Sequence, residues 1–112
     1  MADTPLPRGV ERLLTKASTE KFVSIVSAWE ILMKPKLGLC AADVEAGIAA
    51  MGSVVLPVSF RHLDELSGLS TYEDHRDPFD RMLIAQSLAE DLSIVSGDTR
   101  FGHYKRLRVI WE

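Results

Sequence analysis

Apolar residues recur along the chain in two rhythms, one of three to four residues and one of short unbroken runs. Together they predict helices interleaved with strands. Val10, Leu13 and Leu14 fall at helical spacing within Gly9–Ala17, with Arg8, Glu11, Arg12 and Lys16 elsewhere, so a short amphipathic helix is predicted. Phe22–Val26 is a compact β-branched and aromatic run and reads as a buried strand. A helix is expected from Ser27, where Ser27-Ala-Trp-Glu30 fits a capping box, and Pro35 and Gly38 end or bend it. Ala41–Met51 reads as a third helix closed by Gly52, and Val54–Val58 as a strand that Pro57 caps or demotes to an edge. Ser59 opens a helix carrying Leu63, Leu66 and Leu69. The polar loop Ser70–Arg76 leads to Asp77-Pro78, a strong helix start, and the helix runs to about Glu90 with apolar residues spread around it. Leu92–Ser96 and Leu107–Trp111 are the last two predicted strands.

Strands alternating with helices argue for an α/β architecture on a mostly parallel sheet, in which function gathers beyond the carboxyl ends of the strands. The length of 112 residues and an apolar content of 46% suit one domain spanning 1–112 with a real core. No apolar run approaches the roughly 20 residues a bilayer needs, and the first residues lack the pattern of a secretory signal, so a cytoplasmic protein without a membrane partner is expected. The single cysteine, Cys40, permits no internal disulfide and reads as a small buried side chain. Thirteen basic against 16 acidic residues give a net charge of −3. That balance argues against a passive nucleic-acid coat, whose affinity comes from phosphate contacts. It leaves room for a nuclease, which concentrates carboxylates and lets a cation meet the phosphate.

Three acids sit at element starts near predicted strand ends: Glu30, Asp80 and Asp98. Converging carboxylates of this kind hold Mg²⁺ or Mn²⁺. Each also has an ordinary explanation. Glu30 can complete the Ser27 capping box, Asp77 is an N-cap by default, Asp80 suits the helix dipole, and Asp98 after Gly97 is a common turn residue. His62, His75 and His103 show no paired metal spacing and read as surface or loop residues. The segment Arg100–Arg108 mixes cations with aromatics, which suits either a solvated edge or single-stranded RNA. No Gly-rich phosphate loop follows any predicted strand, which disfavours a flavodoxin-like small-molecule binder.

Three blocks taken together carry a resemblance: Val23-Ser-Ile-Val-Ser-Ala-Trp-Glu-Ile31, His75-Arg-Asp-Pro-Phe-Asp-Arg-Met-Leu-Ile-Ala-Gln-Ser-Leu88 and Leu92-Ser-Ile-Val-Ser-Gly-Asp98. They resemble the PIN domain and, more narrowly, the VapC-type toxins of bacterial type II toxin–antitoxin pairs, over about Pro5 to Trp111. The resemblance implies a three-layer α/β/α fold and a Mg²⁺- or Mn²⁺-dependent endoribonuclease with an RNA substrate. It also implies a homodimer and a cognate antitoxin that silences it. Glu30, Asp80 and Asp98 match the family's metal-binding and catalytic acids, with Asp77 as the substitute for Asp80. Ser96 falls where the family often has a hydroxyl, and Ser96 and Arg100 are the candidates for substrate contact. One departure stands out. The family opens with a central strand ending in Asp-Thr or Asp-Ser, whereas Asp3-Thr4 has no strand before it, so an N-terminally truncated sheet is expected. A rearranged sheet or a strand-exchanged oligomer would follow from the unpaired edges. The alternative reading is a catalytically impaired, truncated PIN domain acting as an antitoxin-binding or self-associating module.

Overall fold

In a computed structural model that describes residues 6–112, the strands pair two by two. Strand β1 (Phe22–Ser24) runs parallel to β2 (Val54–Leu56), with Phe22 opposite Val54 and Ser24 opposite Leu56. Strand β3 (Ile94–Val95) runs parallel to β4 (Val109–Ile110), with Ile94 opposite Val109. The α/β class with parallel strands is therefore observed. The single mostly parallel sheet is not: among the described residues no ladder joins β1 to β3, and the strands form two separate pairs. Asp3 and Thr4 lie outside the described residues.

Five helices connect these strands: α1 (Arg8–Thr15), α2 (Ile25–Leu32), α3 (Ala41–Ala50), α4 (Phe60–Ser67) and α5 (Pro78–Glu90). Short 3₁₀ turns occupy Pro35–Leu37 and Thr99–His103. Helix α1 buries Val10 fully and Leu13 and Leu14 partly, as its spacing predicts. Helix α2 begins earlier than its sequence suggests. The Ser24 hydroxyl accepts the Val26 N–H at 3.0 Å and turns the chain, so β-branched Ile25 and Val26 enter the helix. Ser27 is then inside the helix, and the expected Ser27–Glu30 capping box does not form. Cys40 N-caps α3, its N–H donating to Asp43 at 2.9 Å, and it is exposed rather than buried. That contact holds the Asp43 carboxyl below its ordinary pKa. Gly52 takes φ +70° just after α3, a left-handed turn that glycine enters without steric penalty.

Helix α5 packs against α4 and α2 and organises the core. None of its residues from Phe79 to Glu90 is fully exposed. Ile84 is completely buried in a cluster with Phe101, Tyr104 and Leu107, and Leu69, Tyr72, Leu88 and Ile94 pack around it. Two residues on, on the other side of the helix, Gln86 anchors a polar network. It accepts from the Ser24 hydroxyl at the end of β1 and donates to the Pro57 carbonyl at 3.3 Å, joining the first strand pair to α5. His62 extends the network: its Nδ1 accepts the Ser59 N–H at 3.0 Å and its Nε2 meets Glu90 at 2.8 Å. The second strand pair is tied to the end of α5 by Arg108, which donates to the Asp91 carboxylate and to the Asp91 carbonyl, both at 2.9 Å. Among the described residues no helix is long and apolar enough to cross a membrane.

Candidate metal centre

The start of α5 and the end of β3 converge on one point. Pro78 supplies the first helical residue and Asp77 the cap, its Oδ1 accepting the N–H groups of Phe79 at 2.8 Å and Asp80 at 3.2 Å. This arrangement sets Asp80 in the first turn, where the helix dipole favours a negative charge. Asp98 follows β3 through Ser96 and Gly97. The Ser96 hydroxyl accepts the Asp98 N–H at 3.0 Å, and Asp98 in turn caps the following 3₁₀ turn through the Arg100 N–H at 2.9 Å.

His75 completes the group. Its backbone N–H donates to the Tyr72 carbonyl at 3.1 Å, closing a tight turn in the loop before α5. Its ring is fully buried and stands edge-on to Phe101 and Tyr104, with centroids 5.1 Å and 5.6 Å away. Nε2 lies 3.2 Å from Asp80 Oδ2. One ligating atom from each of His75, Asp80 and Asp98 falls within 4.8 Å of the others. Two carboxylate oxygens and an imidazole nitrogen, held at the end of a strand and the start of a helix, form a donor set that fits a divalent transition-metal or magnesium ion.

The electrostatics around Asp98 are dominated by Arg100. The guanidinium donates from Nε to both carboxylate oxygens, at 3.0 Å and 3.2 Å, and from Nη2 at 2.6 Å. Those hydrogen bonds lower the Asp98 pKa from 3.8 to about 2, so the carboxylate is ionised at any physiological pH. Arg100 Nη1 also reaches the Asp74 carbonyl at 3.1 Å. The Asp74 carboxylate pairs with His103 Nε2 at 2.9 Å, which lowers the Asp74 pKa as well.

A family model for the PIN domain matches residues 1–107. The chain belongs to the PIN domain family. PIN domains are α/β folds and generally metal-dependent nucleases, which accords with parallel strands and a carboxylate cluster at their carboxyl ends. No curated protein and no solved structure matches the chain significantly.

Against that background the sequence-derived acids separate. This PIN domain brings Asp80 and Asp98 together, and Asp77 stays committed to its helix cap. Glu30 lies outside the cluster that His75, Asp80 and Asp98 form. It sits half-buried in the middle of α2, and among the described residues it makes no side-chain hydrogen bond or ion pair. Its neighbour Trp29 stacks edge-on with Phe79, centroids 4.8 Å apart, which docks α2 beside the residue that precedes Asp80.

His103 is exposed and His75 lies in a loop, as expected, but burial departs from expectation at two of the three histidines. His62 and His75 are both fully buried, and only His103 is exposed. Linear spacing could not reveal His75, because its partners lie on other elements. A signal was nonetheless present in the His75-Arg-Asp-Pro-Phe-Asp80 order, which puts an imidazole five residues before the acid it meets.

Proposed function

We propose that this PIN domain is a divalent-metal-dependent endoribonuclease of the VapC toxin type, using Mg²⁺ or Mn²⁺. Asp80 and Asp98 hold the cation, and Glu30, which lies outside their cluster, is the family-matched acid on α2. The observation that carries this reading is the meeting of Asp80, Asp98 and the His75 ring within 4.8 Å at one end of the parallel strands. When bound, the cation supplies Lewis-acid stabilisation of the phosphoryl oxygens and activates the attacking water.

The protein's own groups do the rest. Asp98, kept ionised by Arg100, presents a charge that needs no proton loss before binding. Ser96 holds the Asp98 backbone and so sets the direction of its side chain. The Arg100 fork has the planar geometry that grips a phosphate through paired N–H donors, so it is the natural contact for the scissile or a flanking phosphodiester. Hydrolysis then adds the oxygen of water to phosphorus and breaks one P–O ester bond of the RNA. Cleavage of single-stranded RNA with Mn²⁺ or Mg²⁺ is expected, with loss on chelation and in Asp98→Asn. Cleavage that survives both changes overturns the reading.

A second reading is favoured by one observation. An apolar groove of about 520 Å³ runs between α2, α4 and the start of α5, lined by residues such as Ile25, Trp29, Leu66, Phe79 and Met82. A non-catalytic module would use such a groove to bind an antitoxin or a second copy of the chain. A stable dimer by light scattering, with no heat of Mn²⁺ binding, would favour it over the enzyme.

A further inference from the structure

The two buried histidines differ in a way that bears on the metal. His62 is a satisfied core residue: Nδ1 accepts the Ser59 N–H at 3.0 Å, which puts the ring proton on Nε2, where it donates to Glu90 at 2.8 Å. Both nitrogens are used, and neither lone pair is free without breaking the start of α4. His75 is as deeply buried, yet its Nδ1 has no hydrogen-bond partner. Leaving a buried polar atom unpaired costs about 1–3 kcal/mol, and such atoms in folded proteins ask for an explanation.

The other side of the ring faces Asp80. Nε2 stands 3.2 Å from Asp80 Oδ2, whereas a charge-assisted N–H···O bond closes to roughly 2.7–2.9 Å. Donor atoms on adjacent corners of an octahedral site with bonds of about 2.1 Å lie about 3.0 Å apart. A separation of 3.2 Å is at the long end of a hydrogen bond and close to the spacing of two adjacent ligand positions. Facing the Asp80 carboxylate, Nε2 carries the ring proton, and ligation shifts that proton to Nδ1, where no existing hydrogen bond has to be broken. Phe101 and Tyr104 clamp the ring so that it need not reorganise on binding.

We infer that His75 Nε2 is a third protein ligand beside Asp80 and Asp98, making a two-carboxylate, one-imidazole site that prefers Mn²⁺ and similar transition ions over Mg²⁺. The inference rests on the metal-dependent reading above and names the donor set within it. Mg²⁺ takes oxygen ligands and keeps several waters, whereas the first-row divalent ions accept an imidazole nitrogen, Mn²⁺ the least strongly of them and Fe²⁺, Ni²⁺ and Zn²⁺ more so. An extra nitrogen donor thus helps Mn²⁺ more than Mg²⁺.

The test uses the full chain and the bare ions. Pulsed electron paramagnetic resonance of the Mn²⁺-loaded protein should show coupling to an imidazole nitrogen, retained in His103→Phe and lost in His75→Phe. By calorimetry, His75→Phe should weaken Mn²⁺ binding by about 10- to 100-fold while moving Mg²⁺ affinity less than about threefold. His75→Phe keeps an aromatic ring in the Phe101–Tyr104 clamp, and a circular dichroism melt reports whether it folds. The wild-type resonance spectrum decides the matter even if it does not fold. Metal binding that depends on Asp80 and Asp98 but shows no imidazole coupling overturns this inference and leaves the nuclease reading standing. Absence of Mn²⁺ and Mg²⁺ binding, or binding unaffected in Asp80→Asn and Asp98→Asn, overturns both.

Discussion

Removing the Arg100 side chain should have opposite effects on metal binding and on RNA cleavage. The guanidinium covers both oxygens of Asp98, with contacts at 2.6, 3.0 and 3.2 Å, so an incoming cation must displace it. The side chains of the pair are 44% and 29% exposed, and solvent screening limits such a pair to about 1 kcal/mol or less. Taking 1 kcal/mol as the competition relieved, Arg100→Ala should bind Mn²⁺ about fivefold more tightly at pH 7, read by calorimetry. RNA cleavage should fall in the same variant, because the phosphate-binding fork is gone. The pH dependence follows from the Asp98 pKa, which is depressed from 3.8 to about 2. A depressed acid stabilises the fold fully above 3.8 and loses that contribution as pH falls through about 2. The stability difference between wild type and Arg100→Ala should therefore be present at pH 7 and shrink below pH 3.8, and the Asp98 carboxyl resonance should titrate higher in the variant. Unchanged or weaker Mn²⁺ binding by Arg100→Ala would refute the competition between guanidinium and cation.

Two further substitutions probe how the site is held. Asp77→Ala should destabilise the protein by about 1 kcal/mol in urea denaturation through loss of the α5 cap. Mn²⁺ affinity should stay unchanged, because the Asp77 carboxylate serves the Phe79 and Asp80 N–H groups; a large loss of affinity would make Asp77 a ligand. Ile84→Ala should cost about 2–5 kcal/mol, since the residue is fully buried among Phe101, Tyr104 and Leu107, and a loss below about 1 kcal/mol would show that the cluster repacks around the void.

Much of the fold is legible in local pattern because the physics is local. Asp77-Pro78 announces the start of α5 through a side-chain cap and a fixed φ, and both act within three residues. Ser59 and Gly52 mark neighbouring boundaries for similar reasons. The β1–α2 junction is not legible in this way. Phe22–Val26 has the composition of a strand, but the Ser24 hydroxyl is held by Gln86, 62 positions later, and also takes the Val26 N–H. The strand ends there, and Glu30 moves from a helix start to a helix middle. The exposure of Cys40 is not legible either: whether a small residue is covered depends on what packs over it, and among the described residues Cys40 stays exposed.

Periodicity and element order reach the class of fold, and the position of the acids is compatible with a cation site. Alternating runs imply parallel strands with helices between them, and the resemblance to the PIN domain, rather than the acids' placement, implies a cation where those ends gather. Tertiary structure alone decided which donors meet. It drew Asp80, Asp98 and a loop histidine to within 4.8 Å, left Glu30 apart on α2, and paired Asp98 with Arg100. The physical reason is range. Capping, helix dipoles and strand periodicity act over a few residues, whereas ligation requires ångström agreement between segments whose separation is set only by how α5, β3 and the aromatic residues around His75 pack.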